Sequence, residues 1–365
     1  MYVVRLIAGV AGFALVIWTA IGAIKTVVLP RAESAFLTRW LFIGLRRLVF
    51  DPLASPKRTF AWRDRVMAMY APVGLLLLPG VWVACTILGF SGILWATGIQ
   101  PWTEALVTSG SSLLTLGFVR PEGIGRVLVV FVEAGVGLGL VSLMISYLPT
   151  IYGAFSRRES LVGMLEVRAG SPPSATELIV RYSRIGRLDM LDDDLFVPWE
   201  QWFADIEESH TSQPSLAFFR SPQPERSWIT AAGCVLDTAA IMVALVDRPR
   251  DARADVLIRA GFISLRRIAD FFGISYDPDP HPGDPIAVER GEFDRLCDEL
   301  TNAGVPLKVD RDQAWRDFAG WRVNYDTVLL SLCNLVMAPT AMWSGDRSPL
   351  RQQRVKLFRT ARMRR

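Results

Sequence analysis

The sequence predicts an all-α membrane protein, with three transmembrane helices in its first 155 residues and a helical domain after them. Three observations support this fold class. The 365 residues are 51% hydrophobic, which is more apolar than a soluble chain of this length usually is. The apolar residues are concentrated before residue 155. They form three runs of 19 or more residues, and each run is long enough to cross a bilayer.

The first apolar run, LIAGVAGFALVIWTAIGAI at 6–24, contains no charged residue. A helix of this length spans about 28 Å, close to the hydrocarbon thickness of about 30 Å. A signal peptide is the alternative, because Arg5 precedes the run. The long apolar core and the lack of a small-residue cleavage site favour a transmembrane helix, within an N-terminal segment 1–31.

Two further runs, 67–96 and 125–148, predict the second and third spans. Pro72 and Pro79 are expected to bend the second span. The third contains one acid near its middle, Glu133. A carboxyl group inside a span is costly unless it is partnered or protonated, so Glu133 is a candidate functional residue. The alternative is a protonated acid that is hydrogen-bonded at a helix–helix contact.

The distribution of basic residues predicts the orientation. Residues 31–66, between the first and second spans, carry eight basic residues and three acids, whereas the loop between the second and third spans carries one basic residue. The basic residues of the first loop are Arg31, Arg39, Arg46, Arg47, Lys57, Arg58, Arg63 and Arg65. Because basic loops stay in the cytoplasm, we expect a multi-pass protein of the plasma (inner) membrane with a cytoplasmic C-terminal half.

The first loop, 32–66, contains the stretch ESAFLTRWLFIGLRRLVF. Its apolar residues recur at helical spacing, with Arg39, Arg46 and Arg47 between them. This pattern predicts an amphipathic helix at the inner membrane surface. A buried connector helix is the alternative.

The polar stretch TSGSSLLTLGFVRPEG at 108–123 lies between the second and third spans and is too short to cross the bilayer. Residues 102–114 predict a helix of about half a bilayer in length. Non-helical backbone at membrane depth is tolerated where it is buried in protein or lines a wet cavity. An extended segment after this helix could turn its carbonyl oxygens toward an ion, and the negative helix C-terminus favours cations.

The run TEALVTSGSSLLTLGF resembles the pore helix and filter of tetrameric potassium-channel-like pores, the P-loop cation channel superfamily. The first four positions of the signature Thr-Val-Gly-Tyr-Gly are matched in type by Thr115, Leu116, Gly117 and Phe118. The next run, GRVLVVFVEAGVGLGLVSL, resembles the inner helix of this family. Its expected hinge glycines are Gly135, Gly137 and Gly139. The resemblance covers residues 67–158, and it implies a re-entrant pore helix and filter within a pore domain at 67–155.

The resemblance implies a channel subunit without a bound cofactor, whose permeant ions are monovalent cations, potassium first. One re-entrant segment cannot enclose a pore, so a homotetramer is expected. Glu133 would either face the cavity or lie behind the filter, where Ser111 and Ser112 of the pore helix would be its hydrogen-bond partners. We favour the second position, because short serine side chains leave room for a longer polar partner.

Two residues depart from the family pattern. Val119 replaces the second filter glycine, and Arg120 replaces the acid that usually follows it. A β-branched residue resists left-handed backbone angles, and an arginine at the mouth opposes cations. We therefore expect weak potassium selectivity. The alternatives are a non-conducting membrane sensor or scaffold that keeps the channel fold, and an apolar hairpin without a pore.

The C-terminal half predicts a helical cytoplasmic domain at 156–350. Ser174 and Glu177 are typical of a capping box, and Pro198 is typical of a first helical turn. The apolar run 227–247 predicts a buried core helix, since Asp237 interrupts it. A fourth span is the alternative.

The sequence does not favour an enzyme. It contains no Rossmann, phosphate-loop or nucleophile-elbow motif, and its four cysteines lack paired spacing. The acids at 191–194 and 277–285 fit solvated turns better than a divalent-ion site, so we expect no metal. The tail 351–365 carries seven basic residues. It is expected to contact anionic lipid, with a solvated tail as the alternative, and nothing else in the chain supports binding to nucleic acid.

Overall fold

The computed structural model describes residues 2–27 and 36–350, and its regular secondary structure in these ranges is helical. The helices in chain order are α1 (Tyr2–Val27), α2 (Phe36–Leu45), α3 (Asp51–Leu53), α4 (Phe60–Ala68), α5 (Tyr70–Ala96), α6 (Trp102–Leu113), α7 (Ile124–Ala169), α8 (Ala175–Arg184), α9 (Val197–Ser212), α10 (Trp228–Ala244), α11 (Ala252–Phe271), α12 (Arg290–Asn302), α13 (Arg311–Arg322) and α14 (Asp326–Val336).

Three helical stretches of the described chain are long and apolar enough to cross a membrane. They are Tyr2–Val27, Phe60–Ala96 and Ile124–Ala169. The predictions of an all-α chain and of three spanning helices are therefore confirmed, and the protein is embedded in a membrane. Of the expected kinks, Pro79 lies inside α5 and Pro72 lies in its first turn.

The chain forms two compact units. The first consists of the residues up to Leu53 together with Met69–Gly153, and the second consists of Ala54–Ala68 and the residues from Ala154 onward. The predicted loop domain 32–66 is thus divided between the units, because α4 packs within the second one. Its Asp64 forms an ion pair of 2.6 Å with Arg220. The predicted tail 351–365 and Arg31 lie outside the described residues.

In the first unit, α1 and α5 pack through small residues. A Cβ atom on Gly92 would lie 2.6 Å from the carbonyl oxygen of Ala8, and one on Gly89 would lie 2.8 Å from that of Gly12. The spacings Ala8-xxx-Gly12 and Gly92-xxx-Ala96 are the small-xxx-small pattern of helix pairs in membranes. This packing holds α1 against the rest of the unit.

The helix predicted within 33–50 is present as α2, followed by a π-helical turn at Arg46–Phe50. One face packs on α5, where the Tyr70 hydroxyl donates to the carbonyl oxygen of Phe42 at 3.0 Å. This face fits the connector alternative. Trp40 and Leu48 are 60% and 80% exposed, as expected for a helix that also contacts lipid.

The second unit is built around α10, which is almost completely buried. It packs against α8, α11, α13 and α14. The run 227–247 is therefore a core helix, as predicted. Helices α8 and α9 also start where the sequence predicted them, but only half of the predicted capping box forms, because the amide of Ser174 donates to the carbonyl oxygen of Ala169. Ser174 accepts a hydrogen bond from the amide of Glu177 at 3.4 Å, and Pro198 lies in the first turn of α9.

A buried ion cluster ties α10 to α13 and α14. Arg322 is 0% exposed, contacts Asp237 of α10, and donates to Asp326 Oδ1 at 2.9 Å. The Tyr325 hydroxyl donates to Asp237 Oδ1 at 2.8 Å. Desolvation alone would lower the pKa of Arg322, but the two carboxylates raise it above its ordinary value. The guanidinium therefore stays charged. Removal of one charged member would leave the others buried without a counter-charge.

A second buried cluster fixes the part of α7 that belongs to the second unit. Arg158 donates to the carbonyl oxygens of Leu216 and Phe219 at 2.7 and 2.8 Å. Its Nη1 lies 3.3 Å from Nε2 of His210, whose ring packs against Trp228 at a tilt of 51°. Burial and the Arg158 charge lower the pKa of His210 well below its ordinary value. The imidazole is therefore neutral and accepts from Arg158, since a guanidinium only donates.

Candidate functional site

The candidate site is α6 and the non-helical segment after it, both in the first unit. α6 has 12 residues and a length of about 18 Å, roughly half a bilayer. Its buried face is largely polar, with Thr108, Ser109, Ser111 and Ser112. Because this face is buried, each hydroxyl needs a partner within the protein.

Contacts with both neighbouring helices position α6. On the side of α5, Ser109 Oγ lies 3.0 Å from the carbonyl oxygen of Ile87. On the side of α7, Ser112 Oγ donates to the carbonyl oxygen of Val130 at 2.8 Å. Gly137 of α7 contacts the last turn of α6 so closely that a Cβ atom would overlap the carbonyl oxygen of Leu113.

Ser111 binds four successive backbone amides of the segment after α6. Its carbonyl oxygen accepts from the amides of Leu116 at 2.8 Å and Gly117 at 3.2 Å. Its hydroxyl oxygen lies 3.1 Å from the amide of Phe118 and 3.3 Å from that of Val119. The amide groups of this segment therefore all face α6.

The backbone angles explain this arrangement. Thr115 and Gly117 have φ of +56° and +70°, whereas Leu116 and Phe118 do not have positive φ. Alternation of left- and right-handed residues turns successive amides to one side of the chain. The carbonyl oxygens of residues 115–118 accept no hydrogen bond from the described part of the chain. They form a row of free acceptors on the side opposite Ser111.

The predicted filter residues thus lie together, in a conformation that costs energy. Positive φ is uncommon for a non-glycine residue such as Thr115, and a residue held in this way costs about 1–3 kcal/mol. The side chains of Leu116 and Phe118 are 61% and 65% exposed in the single chain. Exposed apolar side chains of this size mark a surface that contacts either lipid or another protein chain.

Glu133 contacts α6, but through a different serine from those predicted. Its side chain is fully buried, and its Oε1 lies 2.5 Å from Ser109 Oγ. The expectation of a bond to Ser111 or Ser112 is wrong, because Ser111 binds the amides after α6 and Ser112 binds Val130. Ser109 was missed, although its spacing of three from Ser112 places both on one helical face.

The hydrogen-bond geometry around Ser109 fits a protonated Glu133. One hydroxyl hydrogen of Ser109 cannot serve both the Ile87 carbonyl oxygen and Glu133 Oε1. A carboxyl group that donates to Ser109 Oγ removes the conflict, since Ser109 then donates to Ile87. The second carboxyl oxygen, Oε2, is buried without a partner among the described residues.

The three predicted hinge glycines are not equivalent. The helix α7 runs from Ile124 to Ala169 without a break at these positions. A Cβ atom on Gly135 or Gly139 would meet no atom within 4 Å, in contrast to Gly137. In this conformation Gly137 has a packing role, and hinge motion stays a prediction.

No group of three or more potential metal ligands occurs among the residues that the structure describes. In the acidic stretch 191–194, Asp192 binds both Nη atoms of Arg248 at 2.7 and 2.8 Å, and Asp193 binds Arg253 at 2.7 Å. These two carboxylates stabilise the second unit through ion pairs.

Comparisons with protein-family models, with curated proteins and with solved structures found no match to this chain. The fold and the site define a membrane-embedded helical protein with a half-length helix between its second and third spans. The function is therefore argued from the site itself.

Proposed function

We propose that the chain is a subunit of a potassium-channel-like cation channel, in which residues 115–118 line the ion path. The observation that carries the proposal is the binding of four successive amides by Ser111. This leaves the carbonyl oxygens of the same residues free of protein partners. Backbone carbonyl oxygens are the groups that replace the water shell of an ion in potassium channels.

The proposed assembly is a homotetramer. One chain supplies carbonyl oxygens on one side of an ion only, so several copies must surround a common axis. The exposed Leu116 and Phe118, together with Phe131, Leu138 and Val141 of α7, supply apolar surface for contacts between subunits or with lipid. The basic first loop supports a cytoplasmic position for the second unit.

The proposed channel discriminates weakly between potassium and sodium. The amide of Val119 binds Ser111, but Val119 lacks the freedom of the glycine that would extend the carbonyl row. Arg120 at the end of the segment opposes cation entry. The same two residues favour the second candidate function, a tetrameric sensor or scaffold that does not conduct.

The proposal is tested with purified protein in liposomes, by measuring flux of potassium, sodium and chloride and the mass of the oligomer. Gly117→Val should abolish cation flux without preventing membrane insertion or tetramer formation, because valine resists a φ of +70°. Gly110→Val is the matched control, since Gly110 lies within α6 and a Cβ atom there meets nothing within 4 Å.

The flux and mass measurements distinguish the cation channel from the non-conducting sensor or scaffold. A monomer mass, or unchanged flux in Gly117→Val, would overturn the channel proposal. A tetramer without flux of any ion would favour the sensor or scaffold. A strong preference for potassium over sodium would refute the argument from Val119 and leave the channel assignment intact.

A further inference from the structure

The second unit contains a cavity of about 430 Å³ at the end of α10. This volume lies in the range of small-molecule sites. Met242 and Val243 of α10 line it together with Trp321 of α13, which gives it an apolar wall. Gly320 leaves room on α13, because a Cβ atom there would meet only Pro282, at 3.4 Å.

Two cations that line the cavity contact no carboxylate within the described chain. Lys308 Nζ donates to the carbonyl oxygens of Val243 and Ala244 at 2.7 and 3.1 Å, which leaves one ammonium hydrogen free. Arg316 donates through Nε and Nη2 to the side chain of Gln313 at 3.2 and 2.7 Å, which leaves Nη1 free. Each of these two side chains therefore has an unused donor and no ion-pair partner among the described residues.

The other charged groups of the cavity wall are largely engaged. Arg248 and Arg250 form ion pairs with Asp192 and Asp255. Asp251 caps α11 through the amide of Arg253 at 2.8 Å. Asp317 accepts only from Gln313, so its charge offsets one of the two free cations. Among the side chains that line the cavity, four are basic and two are acidic, so the lining itself has an excess of basic groups.

We propose that this cavity binds a small organic anion with an apolar ring. Lys308 and Arg316 bind the acidic group, and the ring packs on Met242, Val243 and Trp321. Arg316 and Gly320 are four residues apart on α13, so the cation lies one turn from the open space that receives the ring. The proposal does not depend on ion conduction.

The experiment is a binding titration on the purified full-length protein in detergent, with phenyl phosphate as the probe. Phenyl phosphate should bind saturably, whereas phenol and benzylamine, which lack the negative charge, should not. Arg316→Gln should weaken the affinity roughly tenfold, since a hydrogen bond between charged groups is lost. Arg259→Gln is the control, because it removes an exposed arginine of α11 outside the cavity.

A second variant tests the site without removing a charge. Gly320→Leu fills the open space and should abolish binding of phenyl phosphate, while its melting temperature stays at or above that of the wild type because leucine favours helix. Unchanged binding in Gly320→Leu, or equal affinity for inorganic phosphate, would overturn the proposal. Binding of benzylamine would do the same.

Discussion

Replacing Gly137 by alanine should separate α7 from the end of α6. A Cβ atom at Gly137 would overlap the carbonyl oxygen of Leu113 and lie 3.1 Å from its carbonyl carbon. The obstacle is backbone, so no side chain can rotate away, and overpacking of this kind costs about 1–3 kcal/mol. Alanine also gains about 1 kcal/mol of helix propensity.

Two neighbouring glycines isolate the cost of the clash. Gly135→Ala and Gly139→Ala gain the same propensity but meet no atom within 4 Å. Relative to these controls, Gly137→Ala should lose about 1–3 kcal/mol of stability, seen as a lower melting temperature in detergent. Under the proposed channel function it should also reduce ion flux in liposomes. Equal melting temperatures for the three variants would refute the packing argument.

Three further predictions concern buried polar groups. Glu133→Gln should keep the hydrogen bond to Ser109 and the unitary conductance, but it should change the open probability. Ser109→Ala should cost about 1–3 kcal/mol of stability. Identical melting curves and single-channel records for the two variants would contradict this pairing. Arg322→Leu leaves two buried carboxylates unpaired and should cost about 3–5 kcal/mol in a thermal melt, more than the exposed control Arg259→Gln. His210 has a folded pKa well below its unfolded pKa of about 6.5, so below that pH the unfolded chain takes up a proton that the folded chain does not. Stability should therefore fall as the pH drops from 7 to 5, by up to about 1.4 kcal/mol per unit from this group, and His210→Gln should weaken that dependence. The same pH profile in the wild type and His210→Gln would show that folding does not lower the pKa of His210.

The features that the sequence predicted correctly are those set by local pattern. The spans follow from the length of apolar runs, and the core helix α10 follows from an apolar run that Asp237 interrupts. The partner of Asp237 could not be predicted, because Arg322 lies 85 residues away in the chain. The grouping of α4 with the second unit depends on Asp64 and Arg220, which are 156 residues apart in the chain, and hydropathy does not reveal this pair.

The identity of the serine that binds Glu133 depends on helix rotation. Successive residues on a helix differ by about 100° in direction, so Ser109 and Ser112, three positions apart, both reach α7, whereas Ser111 in the same turn points to the segment after α6. Composition places all three near the third span and cannot say which faces it. The backbone amides after α6 bind the hydroxyl oxygen of Ser111, so Ser111 is not the serine that binds Glu133.

The different contacts of these serines connect α7 to the free carbonyl oxygens of residues 115–118. Ser112 of α6 donates to α7, and Gly137 of α7 contacts the last turn of α6. Ser111, in the same turn of α6, orients the amides of residues 116–119. A shift of α7 relative to α5 would therefore move α6 and change the direction of the carbonyl oxygens, because no other described side chain donates to or accepts from this segment's amides. Under the proposed channel function, movement of the third span would displace the last turn of α6 and so change the ion path. The hydrogen bond between Ser109 and Glu133 would then limit this movement.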